Sequence, residues 1–242
     1  MTILHFVFVL VAFFAVYIQT KSYALAGQPQ AQAEYRRLLR VRRVVSPGIA
    51  GLAALIVAYG SLVLGNATLF MGLLLTGVWV FASLGDIFIE GSYSTTNADK
   101  KARYYILGMV LFIVFTLGLG IGLVVQGIFI EQVALAGVLA AAAGALVMGM
   151  LAYRTLEVAP ENRAVVLVYT VSVTVLLWGG LLMALAGQVH LAYIGCAYFV
   201  SDWCVGLRDF GRHVPPLLQR NLLIVILMLY YSIMLVAIDF VL

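Results

Sequence analysis

Eight apolar segments, most of them close to the length that crosses a bilayer, constrain the fold of this chain more than any other feature. A hydrocarbon core of about 30 Å needs about 20 helical residues, whereas the strands of a membrane barrel alternate over about 10. The sequence therefore predicts an all-α, polytopic transmembrane bundle of eight helices, forming one integral membrane domain over residues 1–242. The predicted spans are Ile3–Ile18, Val44–Val63, Thr68–Ile89, Tyr104–Val125, Ile128–Leu151, Ala164–Leu182, Val189–Val205 and Leu222–Val241.

Composition supports the same class. Apolar residues make up 64% of the chain and charged residues 10%, against about 45–50% and about 25% in soluble domains. Little sequence remains for a soluble domain. The least distinct boundary lies between the fourth and fifth spans, where Gln126 and Gly127 alone interrupt an apolar run and predict a tight turn.

The positive charges predict the orientation of the bundle. All 14 Lys and Arg residues follow the first, third, fifth and seventh spans, so eight spans place them all on one side. The positive-inside rule makes that side cytoplasmic and puts both termini on the non-cytoplasmic side. The net charge of +4 then indicates topology and contact with anionic lipid, with no nucleic-acid partner. In the order of the four loops, the Lys and Arg residues are Lys21, Arg36, Arg37, Arg40, Arg42 and Arg43, then Lys100, Lys101 and Arg103, then Arg154 and Arg163, and finally Arg208, Arg212 and Arg220.

The longest predicted loop is Gln19–Arg43, and its basic second half allows two interpretations. It is either a solvated loop that fixes topology, or a short basic surface helix that holds lipid phosphates at the membrane face. The compact loops elsewhere favour a bacterial inner membrane. No Cys/His grouping has metal-ligand spacing, so no metal is expected from the sequence, and no protein partner is evident.

Two carboxylates, Asp86 and Asp202, interrupt predicted spans. An ionised Asp at a span's centre costs about 2.5–3.5 kcal/mol on insertion scales, so intramembrane acids indicate functional sites by default. Each lies three residues before the predicted inner end of its span, which is equal depth. We therefore expect the two acids to share one pocket. The alternative is a structural role, with each acid hydrogen-bonded to a nearby Ser or Tyr.

Neighbouring residues extend this candidate site. Ala82, Asp86 and Glu90 recur at four-residue spacing, which places them on one helix face, and Tyr198 and Asp202 do the same in the seventh span. Glu90 is expected near the inner interface, with cations close by in sequence. Two carboxylates about 5 Å apart repel by roughly 3.3 kcal/mol at an effective dielectric of about 20. One of them can then hold a proton while the other is ionised, as paired acid–base chemistry requires.

Short motifs in the chain resemble the YhhN family, eight-span membrane proteins that include the lysoplasmalogenases. The motifs match the family's Gly-Asp in the third span, its Phe-x-Ser-Asp in the seventh, its Gly and Phe in the fourth, and its tyrosine pair in the last. They are Gly85-Asp86, then Gly195, Phe199, Ser201-Asp202 and Phe210, then Gly108 and Phe112, and finally Tyr230-Tyr231. Thr116 and Met234 stand where the family often has His and Gln.

The resemblance implies hydrolysis of the vinyl ether bond of a lysoplasmalogen to a fatty aldehyde and a glycerophospho-base, without a cofactor. Asp86 and Asp202 would be the catalytic pair. The candidate substrate-binding residues are Tyr198, Ser201, Glu90 and Tyr231. The substrate would enter from the bilayer.

Two other classes of function remain open. A proton-coupled carrier could use the same aspartates, because the spans that bear them occupy equivalent places in two four-span halves. A lipid-binding membrane protein without turnover is the third possibility, and Thr116 and Met234 favour it.

Overall fold

The computed structural model of the protein describes residues 3–211 and 214–242, except for the side chain of Glu161. Arg212, which the sequence predicts on the cytoplasmic side, lies outside the described residues. The described part is all-α and contains eight long helices. They are α1 (Ile3–Leu25), α2 (Gln32–Ala58), α3 (Leu69–Ser94), α4 (Ala98–Val125), α5 (Leu135–Arg154), α6 (Arg163–Leu185), α7 (Val189–Phe210) and α8 (Pro216–Val241). The predicted fold class and number of helices are confirmed.

Within the described ranges, seven of these helices are long and apolar enough to cross a membrane, and α7 is the exception. Helix α7 carries Asp202, Arg208 and Asp209 within its 22 residues, which lowers its hydropathy. The chain is therefore a multi-pass integral membrane protein. The eighth crossing and the side on which the termini lie stay predictions.

The prediction of a loop over Gln19–Arg43 is wrong, because most of the segment is helical; the alternative of a helix over its basic second half is right about the helix, which is longer than expected. Helix α1 continues to Leu25 and α2 begins at Gln32, so the basic segment is the first part of a 27-residue helix. The break lies around Gly27, whose φ of +80° suits glycine, and is followed by a short 3₁₀ turn that begins at Pro29. Gln, Glu, Leu and Arg are strong helix formers, so these helices extend past their apolar stretches.

The predicted tight turn at Gln126–Gly127 is also wrong. Helix α4 passes into a π-helical segment, Gln126–Ile130, and the chain reverses in the residues that precede Leu135. Gln132, at φ 53°, is the non-glycine residue with a left-handed backbone in this turn. Gly127 lies inside the π-helical segment and lets that segment pack closely against α6, since a Cβ added at Gly127 would lie 3.0 Å from Leu182 Cβ. Helix α2 ends in a similar π-helical segment, Tyr59–Val63.

The chain forms two compact units, with the division inside α4, between Phe115 and Thr116. In the first unit, α2 packs against α1 and α3. Trp79, buried on α3, lies 5.4 Å from Phe115, ring centroid to centroid. The predicted single domain over residues 1–242 stays a prediction.

In the second unit, which runs from Thr116 to Phe240, α6 packs against α5 and α7. Gly180 and Gly195 bring the backbones of α6 and α7 together, because a Cβ added at Gly195 would lie 2.6 Å from Gly180 Cα. Small residues serve this purpose in membrane helices. The contact fixes the register of α7, which carries Asp202.

Candidate functional site: two acidic centres

A buried ion pair lies at the centre of the polar side chains of the first unit. Arg42 Nη2 and Nε donate to Glu90 Oε1 at 2.8 and 3.3 Å, and Arg42 Nη1 donates to Ser22 Oγ at 2.9 Å. The side chain of Glu90 is 5% exposed and that of Arg42 is 14% exposed. Helices α1, α2 and α3 each contribute one of these residues, so the pair joins all three helices.

Further contacts fix this cluster. The guanidinium carbon of Arg42 lies 5.5 Å from the ring centroid of Tyr93, a cation–π geometry. Gln19 Nε2 donates to Ser46 Oγ at 3.5 Å, between α1 and α2. Glu90 Oε2 is enclosed and has no hydrogen-bond partner in the described part of the chain. Arg42 therefore orients one carboxylate oxygen and leaves the other uncommitted.

Asp86 lies one helical turn before Glu90 and is also buried, at 8% exposed. Ala82, a further turn back, is fully buried, so the predicted face of Ala82, Asp86 and Glu90 is the inward face of α3. The preceding Gly85 lies against Phe112 of α4, where an added Cβ would approach the ring to 2.9 Å. The missing Cβ thus brings α4 close to the turn that carries Asp86.

Asp202 is the acidic centre of the second unit. It lies on α7, and its hydrogen-bonding partner is Tyr169 of α6. Its Oδ2 atom is enclosed and has no hydrogen-bond partner within residues 3–211 and 214–242. Like Glu90, Asp202 thus has one oxygen available to a proton, a water molecule or a ligand.

The predicted neighbours of Asp202 lie in the core of the same unit. Tyr198 and Ser201 are buried on α7, and Ser201 Oγ lies 3.5 Å from the carbonyl oxygen of Ile226. Tyr198 contacts Tyr230 of α8 at a centroid distance of 6.2 Å, and Tyr230 contacts the buried Tyr231 at 5.7 Å. Three phenol rings thus line one region between α7 and α8.

The two positions that depart from the YhhN pattern are both buried in the second unit. Thr116 is 0% exposed, and its hydroxyl donates to Ser172 Oγ at 2.8 Å. Met234 is also 0% exposed. The two positions thus hold a hydroxyl and a thioether, both inside the core of the second unit.

The sequence did not identify Arg42, Ser22 or Tyr169 as site residues. For Arg42 a signal exists, since Leu38, Arg42 and Ser46 recur at four-residue spacing on one face of α2, and both neighbours are buried. For Tyr169 no spacing points to Asp202. The expected cations close to Glu90 in sequence are not its partners, because Arg42 lies 48 residues away.

Asp86 belongs to the first unit and Asp202 to the second, and their predicted shared pocket stays a prediction. Among the described residues, no group of three or more His, Cys, Asp or Glu side chains is placed to hold a metal ion.

In comparisons with known proteins, no protein-family model, no curated protein and no solved structure matches the chain.

Proposed function

We propose that the protein is a membrane lipid hydrolase that cleaves the vinyl ether bond of lysoplasmalogens, the activity of the YhhN family that its motifs resemble. The observation that carries the proposal is the carboxylate of Asp202, which Tyr169 holds and whose Oδ2 atom is enclosed and uncommitted. A carboxylate held in this way is suited to general acid–base chemistry. Asp86, buried in α3, supplies the second carboxylate.

The proposed reaction needs a proton donor and a stabilising anion. One aspartate donates a proton to the outer carbon of the vinyl ether, which leaves an oxocarbenium ion at the carbon next to oxygen. The other, ionised aspartate stabilises that cation and takes a proton from the water that attacks it. The resulting hemiacetal breaks its C–O bond, giving a fatty aldehyde and a glycerophospho-base. One water is consumed, and no redox step occurs.

The arrangement of the chain supports a lipid substrate. Both acids lie on helices whose other faces expose large apolar side chains, such as Phe81 and Val200, so an apolar chain reaches the protein from the bilayer. The first turns of α2 are basic, and the same helix carries Arg42. Their cations, such as Arg36 and Arg37, support binding of a phosphate head group. We further propose eight spans, basic loops in the cytoplasm and both termini outside, in a bacterial inner membrane.

The test is aldehyde release by purified protein from alkenyl-lysophosphoethanolamine and alkenyl-lysophosphocholine. We expect Asp86→Asn and Asp202→Asn each to lower kcat by about 10²–10⁴-fold, the usual contribution of a general acid or base. Asp209→Asn is the matched control, because Asp209 is exposed on the same helix as Asp202. It should keep activity within about twofold.

Full activity in either the Asp86 or the Asp202 variant would rule out the acid–base roles. Folded wild-type protein that releases no aldehyde would overturn the hydrolase. Transport of a substrate in proteoliposomes, driven by a pH step, would then favour the carrier.

A further inference from the structure

A groove between α5 and α6, within the second unit, takes no part in the acidic centres. Its volume is about 540 Å³, within the range of about 300–1,000 Å³ that small-molecule sites occupy. Small residues on α5, namely Ala142, Ala145 and Gly149, form its floor opposite Thr174 and Trp178 of α6. The groove exists because these side chains do not fill the space between the two helices.

The walls of the groove offer an occupant mainly apolar surface, because the hydroxyl groups of its two threonines are bonded to the backbone. Thr170 and Thr174 donate their hydroxyl protons to the carbonyl oxygens of Val166 and Thr170, both at 2.8 Å. The indole Nε1 of Trp178 donates to the carbonyl oxygen of Val138 at 3.3 Å. These polar groups are therefore committed to the protein. The other polar lining residues, Tyr153 and Arg154, lie at the end of α5, so the occupant along the rest of the groove must be apolar.

One end of the groove carries a charge. Arg154, the last residue of α5, lines it there and is exposed. From Arg154 to Ala142 the rise of α5 is about 18 Å, close to half the thickness of a hydrocarbon core of about 30 Å. The groove thus extends from a helix end to about the middle of a bilayer, which is the depth of one leaflet.

We propose that this groove is a binding site for an anionic glycerophospholipid of the membrane. One acyl chain lies along the small residues of α5, and the head-group phosphate binds the guanidinium of Arg154. A guanidinium suits this task because its fixed N–H donors match the oxygens of a phosphate. The site is separate from the proposed hydrolysis, since neither Asp86 nor Asp202 lines it.

The test uses Trp178 as a reporter. The chain has 3 Trp residues, so Trp79→Phe with Trp203→Phe leaves Trp178 alone in the groove. This protein is reconstituted in phosphatidylcholine vesicles that contain phosphatidylglycerol or phosphatidylcholine dibrominated in the distal half of one chain. We expect phosphatidylglycerol to quench Trp178 at about fivefold lower mole fraction, the factor for about 1 kcal/mol per basic residue at an anionic surface.

Two pairs of variants make the test specific. Arg154→Gln should abolish the preference, whereas Arg163→Gln, an exposed arginine outside the groove lining, should keep it. Ala142→Phe should lower quenching by either lipid, whereas Ala143→Phe, on the next and exposed position, should not. Equal quenching by both lipids in the parent protein would overturn the proposal, as would an equal loss in both arginine variants.

Trp79 is fully buried, and its replacement could prevent folding. In that case, native mass spectrometry of the wild-type protein and the Arg154→Gln variant, purified from mixed vesicles, takes the place of fluorescence. We expect the wild type to retain phosphatidylglycerol and the variant to lose it. The same amount on both proteins would contradict the site.

Discussion

Arg42 and Glu90, 48 residues apart, form an ion pair of 2.8 Å in which both side chains are largely buried. The desolvation of such a pair often costs as much free energy as its attraction returns, so a buried pair is weak support for stability. Removing one partner is a different matter, because it leaves the other charge buried and uncompensated. The pair therefore makes the packing of α2 against α3 sensitive to either residue.

We expect Arg42→Met to lower the free energy of unfolding by about 3–5 kcal/mol, the cost of leaving Glu90 buried alone. The double variant Arg42→Met with Glu90→Met should recover most of that loss, since two apolar side chains need no partner. Thermal unfolding in detergent, followed by near-ultraviolet circular dichroism, measures both. A double variant no more stable than the single one would contradict this account of the pair.

The exposed ion pair between Lys21 and Glu34 provides the comparison. These side chains are 38% and 50% exposed, and ion pairs in contact with solvent contribute little to stability. Glu34→Gln should therefore change the unfolding temperature little. A loss as large as that of Arg42→Met would mean that burial is not what distinguishes the two pairs.

Gly195→Ala should destabilise the second unit by about 1–3 kcal/mol, the usual cost of overpacking. The added methyl would meet the backbone of α6 at Gly180, and backbone cannot move aside as a flexible side chain can. Gly144→Ala is the matched control, because its Cβ would meet only Leu181 Cδ1, at 3.7 Å. The unfolding temperatures of the two variants should differ by several degrees, and equal values would argue against the helix contact.

If the protein is the proposed hydrolase, Tyr169→Phe should lower kcat by about tenfold and leave KM unchanged. The expected factor corresponds to the upper end of the contribution of one hydrogen bond, about 1.5 kcal/mol, because Tyr169 positions the carboxyl group of Asp202. Tyr193→Phe removes an exposed hydroxyl that pairs with Ser232 at 2.8 Å, and serves as the control. Steady-state assays of aldehyde release measure both. A rise in KM alone would assign Tyr169 to substrate binding instead.

The eight-span topology requires α7 to cross the membrane. In a Cys196→Ser, Cys204→Ser background, Val189→Cys should react with a membrane-impermeant maleimide in intact cells, and Asp209→Cys only after permeabilisation. These residues are exposed, near the beginning and the end of α7. Reaction of both positions from the same side would show that α7 does not span and would move the C-terminus to the other side.

The sequence was a good guide to the number and class of helices, because apolar length is a local property. It failed where apolar patterning ends. The segment from Gln19 to Arg43 is rich in polar residues yet mostly helical, since helix formers continue α1 and begin α2 on either side of Gly27. The residues from Gln126 onward look like a break in the sequence. Instead, α4 continues through Gly127 as a π-helical segment.

The acidic residues were predictable individually, and their partners were not. Four-residue spacing predicts that Asp86 and Glu90 share one helix face, but Glu90 was expected near the interface and is buried in the first unit. The pairing of Glu90 with Arg42, and of Asp202 with Tyr169, depends on how distant helices rotate against each other. Helix rotation is set by contacts such as the Gly180–Gly195 approach, and no local pattern reports it.

That glycine contact has a consequence for how the features of the second unit depend on each other. Because the backbones of α6 and α7 approach closely at Gly180 and Gly195, the position of one helix constrains the position of the other. Helix α6 presents Tyr169 to the carboxylate of Asp202 and the adjacent Thr170 to the lipid-facing groove. A substitution at either glycine that shifts α6 against α7 is therefore expected to disturb both the contact between Tyr169 and Asp202 and the shape of the groove.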